Sequence, residues 1–224
     1  MAQEQQPPSL ATMVAKRTQL PILEERIAYK RFVTVWHRHV EFPDGRKLDC
    51  AVQPVSLTTA AWLARDAGGH GTRSPAFVTV FPFNTKTKTV RLLIEYAQGP
   101  NVMTYTLTAG ACDPTKHSSI LDTARHELSE EARLKNGTWV RLLPEDDDGI
   151  PELKWSRNKF VPFLVIDAEP DATPYERDAE EFIEIVDVTL DELQQFILKG
   201  LVMLPSVQTT IMALDWLRRN GHAV

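Results

Sequence analysis

Cysteine is scarce in this chain. Two occur among 224 residues, Cys50 and Cys112, too few for a disulfide framework and without the paired spacing of a zinc site. Long apolar runs are missing as well: the densest, 77–83 and 160–166, fall far short of the roughly 20 residues that cross a bilayer. The first twenty residues carry Gln, Pro, Glu4 and scattered bases but no apolar centre of the kind a secretory signal has. An excess of basic charge is absent too, with 25 Lys plus Arg against 30 Asp plus Glu for a net −5. That excludes a general basic field for wrapping nucleic acid, so any anionic ligand must be held locally, by a metal or a few placed cations. Together these absences read as an intracellular, cytoplasmic protein with no membrane partner. Lys16 and Arg17, in a stretch with little acid, leave an organelle address as the alternative.

What is present is a 43% hydrophobic chain long enough to bury a sizeable core. Residues 1–30, with Gln-rich and Pro-rich stretches and no sustained periodicity, read as a flexible or loosely docked arm. Over 31–55 the pattern alternates, and Pro43, Asp44, Gly45 and Arg46 supply turn chemistry, which predicts a β-hairpin ahead of a main domain over 56–224. Residues 56–67 read as a short helix broken by Gly68, Gly69 and Gly71. Dense strand signals follow at 77–83, 90–96 and 103–108, predicting three consecutive antiparallel strands. A helix over 119–133 carries Leu121, Ala124, Leu128 and Ala132 on one face, with Ser118 or Ser119 as N-cap. Strands at 138–143, 159–167 and 182–188 come next, then helices over 190–199 and 206–219. The last places Val207, Ile211, Leu214 and Leu217 on one side.

Chemistry concentrates in the segment from Leu107-Thr108-Ala109-Gly110 to the helix containing Arg125-His126-Glu127-Leu128-Ser129-Glu130-Glu131. On a helical wheel Glu127 and Glu131 lie about 40° apart and Glu130 about 60° to the other side, so three carboxylates share one flank. Their repulsion weakens a bare helix by a few tenths of a kcal/mol per pair, roughly, unless a cation resides there. Hard oxygen donors at this density suit Mg²⁺ or Mn²⁺. A solvated acidic face is the plain alternative.

The segment from His126 to Leu134 resembles the second half of the box of the Nudix hydrolases, in which Arg-Glu-aliphatic-any-Glu-Glu-any-Gly-aliphatic follows a glycine, five residues, a glutamate and seven more. The three acidic and both aliphatic positions match. His126 stands where the box has Arg, and Arg133 where it has Gly; the loop after Gly110 is two residues longer, and Lys116 or Ser118 takes the place of the first glutamate. Around it, the hairpin, Phe77 to Phe83, Ile94-Glu95-Tyr96-Ala97, Thr106-Leu107-Thr108-Ala109-Gly110 and the late run Glu180 to Val188 resemble the ADP-ribose and nucleoside-diphosphate-sugar pyrophosphatase branch, over about 31–219. The branch's substrate-holding arginines are absent from the Ile94 to Ala97 run.

The resemblance implies an α/β/α sandwich with a mixed sheet and a hairpin that exchanges across a homodimer. It implies an Mg²⁺- or Mn²⁺-dependent pyrophosphatase acting on a small molecule linked through a nucleoside diphosphate, ADP-ribose or a nucleotide sugar. Glu127, Glu130 and Glu131 would hold the metal, with Gly110 allowing close approach. Glu180 or Glu181 would be the general base, and His126 would inherit the orienting role of the box arginine. Tyr96, Tyr105, Phe81 and Trp155 are candidates to stack a base, against the plain alternative of core packing. Arg91, Arg157 and Lys159 are candidate phosphate or ribose contacts, against ordinary surface cations. The rival reading is a binding or scaffolding module on the same fold whose catalysis is lost or slight.

Overall fold

The computed structural model describes residues 9–30, 34–52, 77–113, 115–153, 158–177 and 182–224. The helix expected over 56–67 lies outside these residues. In chain order the elements are α1 (Leu10–Lys16), β1 (Ile22–Lys30), β2 (Thr34–Glu41), β3 (Lys47–Val52), β4 (Phe77–Asn84), β5 (Thr89–Ala97), β6 (Val102–Thr106), β7 (Thr108–Ala111), α2 (Ile120–Glu130), β8 (Leu134–Lys135), β9 (Thr138–Arg141), β10 (Ile150–Pro151), β11 (Lys159–Ile166), β12 (Glu169–Pro170), β13 (Glu184–Thr189), α3 (Leu190–Leu198) and α4 (Leu204–Arg219).

The expected hairpin is β2 and β3, which pair from Trp36↔Val52 to Glu41↔Lys47, and Asp44 Oδ1 accepts the Arg46 N–H at 3.0 Å inside its turn. The flexible arm, however, is not what residues 10–30 form. Ser9 caps α1 by accepting the Thr12 N–H, and β1 joins β2 as the third strand of an antiparallel sheet. Leu10, Met13 and Val14 recur at helical spacing and are buried, as is Leu20. Four well-placed apolar side chains outweigh a polar composition, because burial energy depends on contact rather than on average hydropathy. The boundary expected at residue 31 therefore falls inside one sheet.

The main sheet has the order β10-β11-β4-β5-β13, with β6 added to β5, β7 to β4 and β9 to β11. Its centre is the parallel pair β11 and β4, in register from Phe160↔Phe77 to Ile166↔Phe83; the other pairings are antiparallel. Side chains alternate strictly across it. Val78, Val80, Leu93, Val161, Phe163 and Val165 pack with Ala124, Leu128 and Ala132 beneath α2. Phe81, Phe83, Leu92, Ile94, Leu164 and Ile166 face the opposite core, which takes in Leu193 of α3 and Ala213 and Leu217 of α4. This is the expected α/β/α arrangement with a mixed sheet.

Helix α4 is rotated from the orientation its apolar spacing predicts: Leu217 is buried and Val207 and Leu214 pack against the core, but Ile211 faces out. Ser206, Thr209, Thr210, Ala213 and Leu217 are buried, while Ile211 is 58% exposed. The cause is polar and steric. Thr209 Oγ1 meets Thr79 Oγ1 at 2.5 Å, and Ser206 Oγ accepts the Leu107 N–H at 2.9 Å. Small hydroxyl side chains let the helix lie close to the sheet while satisfying one another, which a row of branched apolar residues could not do.

Asp167, just past β11, sits at φ 54 and accepts from the Thr85 N–H at 2.8 Å and the Thr85 hydroxyl at 2.7 Å, tying the β4–β5 turn to the end of the sheet. The Thr85 backbone N–H, ahead of an opposing burial effect, holds its carboxyl below the ordinary value of 3.8. A depressed folded-state pKa stabilises above the unfolded value, and that stabilisation is lost as pH falls through the folded one. Asp167→Ala is expected to cost about 1–2 kcal/mol at pH 7, from lost hydrogen bonds and a left-handed backbone that alanine tolerates poorly. Urea denaturation at pH 7 and pH 3 checks this: the gap between wild type and variant should shrink at the lower pH.

Candidate active site

Strand β7 and helix α2 make the first contact of the site. A Cβ on Gly110 would lie 1.9 Å from Cδ and 2.0 Å from Oε1 of Glu127. The contact is with the Glu127 side chain and not with backbone, so a methyl at this position would need that carboxylate to swing away from β7. The approach is imposed by Ala124, Leu128 and Ala132, all fully buried, which lay α2 flat on the sheet and turn the Glu127 flank onto β7. One turn later Glu131, 3% exposed, uses Oε2 to accept the Ala109 N–H at 3.0 Å. Glu130 Oε2 lies instead 3.1 Å from Nδ1 of His126. The three carboxylates thus share a flank but have separate surroundings.

Both ends of α2 are anchored. At the start, Ser119 accepts the Asp122 N–H at 3.1 Å and Asp122 Oδ2 accepts the Ser118 N–H at 2.9 Å; that bond is the chief reason the Asp122 carboxyl stays below its ordinary value. At the end, Arg177 donates to the carbonyls of Glu130 at 3.3 Å, Glu131 at 2.6 Å and Ile183 at 3.0 Å. The last turn of α2 has no basic residue of its own, and Arg177 supplies the cation that the helix dipole favours there.

The loop before α2 folds on Asp113. Its side chain accepts the Thr115 N–H at 2.9 Å, and its carbonyl accepts the N–H groups of Lys116 and His117 at 3.0 Å. This sets the His117 ring 4.9 Å from that of His126, tilted by 58°. Tyr175 stacks on His126 at 4.0 Å, and its segment is fastened by Ser129 Oγ donating to Asp171 Oδ2 at 2.7 Å. Beside these rings opens a cleft of about 790 Å³ whose lining includes Lys116, His117, Arg125, His126, Lys135 and Tyr175. Among the described residues, the His, Cys, Asp and Glu side chains grouped tightly enough to grip one ion are His117, His126 and Glu127, with one donor atom each within 4.8 Å of the others. Cys112 is no nucleophile: burial, opposed by a hydrogen bond with Thr123, pushes its thiol up to about 11, so it stays protonated at neutral pH.

Gly110, Glu127 and His126 lie together, but Glu127, Glu130 and Glu131, expected to hold one metal, are not grouped closely enough to grip one ion; among the described residues Glu127 groups with His117 and His126 instead. Arg91, Tyr96 and Tyr105, expected to touch substrate, are engaged in the fold instead. Arg91 forks onto Asp187 with two 2.8 Å bonds and donates to the Ala132 carbonyl. Tyr96 is buried and donates to Asn101 at 2.8 Å, and Tyr105 stacks on Phe196 at 4.3 Å; both belong to the core on the face away from α2, as does Phe81. Lys159 pairs with Asp148 at 2.6 Å. Glu180, Glu181, Trp155 and Arg157 lie outside the described residues. Neither Tyr175 nor Arg177 belongs to a motif, and no partner for His117 is apparent from the amino-acid order. Only the nine-residue interval between His117 and His126 hints at their meeting.

Gly110→Ala is expected to push the Glu127 side chain off β7 and cost on the order of 1 kcal/mol, because a side chain rather than backbone must give way. Gly99→Ala, with nothing within 4 Å of the added methyl, is the matched control and should change stability by less than about 0.5 kcal/mol. Parallel urea denaturation of the two variants compares them.

No family profile matches the chain, and no curated protein does. Solved structures do, 117 chains in all. Among them is the crystal structure of an ADP compounds hydrolase, aligned over 92% of this chain and 98% of that one with a TM-score of 0.52 and 19% identity. At that identity the likeness is one of fold: the chain is a mixed α/β sandwich similar to that hydrolase, and its own N-terminal strands form a separate antiparallel sheet.

Proposed function

We propose that this chain is a divalent-cation-dependent pyrophosphatase that hydrolyses ADP-ribose or a related nucleoside diphosphate sugar to two monophosphates. The observation that carries the reading is the seat of the Glu127 carboxylate against Gly110, beside a cleft to which Lys116 and Arg125 contribute cations, Lys135 on the same wall being paired with Asp171. On a chain of net charge −5, such local cations are what a diphosphate requires. The solved neighbour's name, ADP compounds hydrolase, points to the same substrate class.

Mg²⁺ or Mn²⁺ would be held by Glu127, with Glu130 and Glu131 on the same flank. Carboxylate donors suit a hard cation, and when bound it neutralises the diphosphate and polarises the phosphorus–oxygen bond under attack. The protein's own groups do the rest. Lys116 and Arg125 bind and orient the phosphates, and Glu180 or Glu181 takes the proton from the attacking water. The exposed ring of Tyr175, already stacked on His126, offers an apolar face to a nucleobase. One observation favours a binding module instead: Glu131 is buried and occupied with the Ala109 N–H.

Incubation with Mg²⁺ or Mn²⁺ and a panel of nucleoside diphosphate-linked compounds, with products identified by mass spectrometry, is expected to give AMP plus a sugar phosphate or the equivalent pair. Glu127→Gln should lower the rate at least ~100-fold, about 2.7 kcal/mol of barrier. Release of inorganic phosphate alone contradicts the reaction class, and tight nucleotide binding without turnover favours the binding module.

A homodimer is part of the proposal. On β1, Ile22, Leu23 and Ile27 are 42%, 45% and 55% exposed, an apolar edge on a three-stranded sheet that a second copy would cover. Light scattering is expected to give a mass near twice 25.3 kDa; a monodisperse monomer would remove this part.

A further inference from the structure

We infer that His117, His126 and Glu127 form a binding site for a late first-row transition metal such as Zn²⁺, distinct from the carboxylate flank with which it shares Glu127. The inference stands apart from the pyrophosphatase reading, because it concerns which ion the chain grips and not what is hydrolysed.

The donors are already assembled. One ligand atom from each of the three side chains lies within 4.8 Å of the other two, and all three residues are half-buried. In a tetrahedral zinc site, with bonds of about 2.0–2.1 Å, the ligand atoms stand about 3.4 Å apart. At most about 1.4 Å of closure separates the two arrangements, within reach of small side-chain rotations. The set is complete for an open site, since three protein ligands leave a fourth position for water or a ligand.

Independent features hold the ligands in place. His126 is clamped by Tyr175, whose ring lies 4.0 Å away and within 17° of parallel. Its Nδ1 is buried and has no hydrogen bond, although Glu130 Oε2 lies 3.1 Å away. A buried ring nitrogen left unsatisfied is costly. A metal removes that cost in either of two ways. Nδ1 ligates directly, or Nε2 ligates and the ring turns Nδ1–H onto Glu130, the carboxylate–histidine–metal arrangement that fixes many ligating imidazoles. His117 is carried on the loop folded over Asp113, and Glu127 is backed by Gly110. Every ligand therefore has a structural reason for its position that does not depend on the ion.

Donor chemistry selects the metal. Mg²⁺ prefers six oxygens in near-octahedral geometry and keeps several waters, so two imidazoles serve it poorly. Imidazole nitrogen suits Zn²⁺, Ni²⁺ and Cu²⁺, whose affinities for such a site exceed that of Mn²⁺. The substitution of His126 for the box arginine changes a fixed cation into a metal ligand.

The test uses the full-length chain, stripped with a chelator, and the metals alone. Zn²⁺ is titrated against a chromophoric chelator, Mg²⁺ by its ability to displace Zn²⁺, and Co²⁺ by its visible ligand-field absorption. One equivalent of Zn²⁺ is expected, held at least 100-fold more tightly than Mg²⁺. His117→Ala and His126→Ala should each weaken it at least tenfold and remove the Co²⁺ band, while His222→Ala leaves both unchanged. His117 lies on a loop, so His117→Ala should keep the metal-free thermal midpoint of wild type, which separates a lost ligand from a lost fold. Absence of a stoichiometric Zn²⁺ site, a site that survives His117→Ala, or Mg²⁺ binding equal to Zn²⁺ overturns the inference. A chain that hydrolyses no diphosphate yet holds Zn²⁺ through these histidines leaves it intact.

Discussion

Parallel pairing of β4 and β11 at the centre of the sheet imposes a requirement that organises the rest of the chain. Both strands are almost wholly buried, and a parallel pair needs cover on its two faces because its connection must cross over the sheet. Helix α2 lies within that crossover and covers one face; α4 covers the other. The site exists where α2 must pass close to β7, an edge piece hydrogen-bonded to β4. Glycine at 110 and alanines at 124 and 132 are the small residues that let the crossover lie flat, so the carboxylate flank is positioned by the same packing that closes the core.

Much of this architecture is legible in the amino-acid order, for a physical reason. Strands such as 77–84 and 89–97 declare themselves because β-branched and aromatic residues fill both pleat faces, and α2 because Ala124, Leu128 and Ala132 repeat at the helical period. The same rule is only partly right at α4, where Val207, Leu214 and Leu217 reach the core but hydroxyl pairs, not Ile211, meet the sheet. It misleads at residues 10–30, where few apolar contacts are diluted among polar neighbours. Periodicity registers how many apolar residues recur, not which of them find a partner.

The site divides along a similar line. Gly110 and the glutamates are readable because they lie in one short stretch, where spacing fixes geometry. Tyr175 and Arg177 come from a segment more than forty residues further on, and their meeting with α2 is a property of the tertiary fold. Arg91 illustrates the converse. As a cation on a strand it is a fair candidate for phosphate, yet Asp187 stands opposite it in the β5–β13 register, and the paired guanidinium serves to join two strands and the end of a helix. Burial likewise claims Tyr96, packed edge-on against Phe42, and Tyr105, stacked on Phe196 of α3.

The hydroxyl contact between Thr79 and Thr209 has a consequence for the order in which the chain assembles. Hydrophobic collapse alone would draw α4 inward by its more apolar side, with Ile211 and Leu204 against the sheet, and that docking is a competitor to the native one. What distinguishes the two is a short bond between Thr79 of β4 and Thr209 of α4, so the native rotation of the helix is selected only once β4 is fixed in its sheet. Native docking of α4 is therefore expected to follow pairing of β4 with β11, so that substitutions at Thr79 and Thr209 act more on the unfolding rate than on the folding rate.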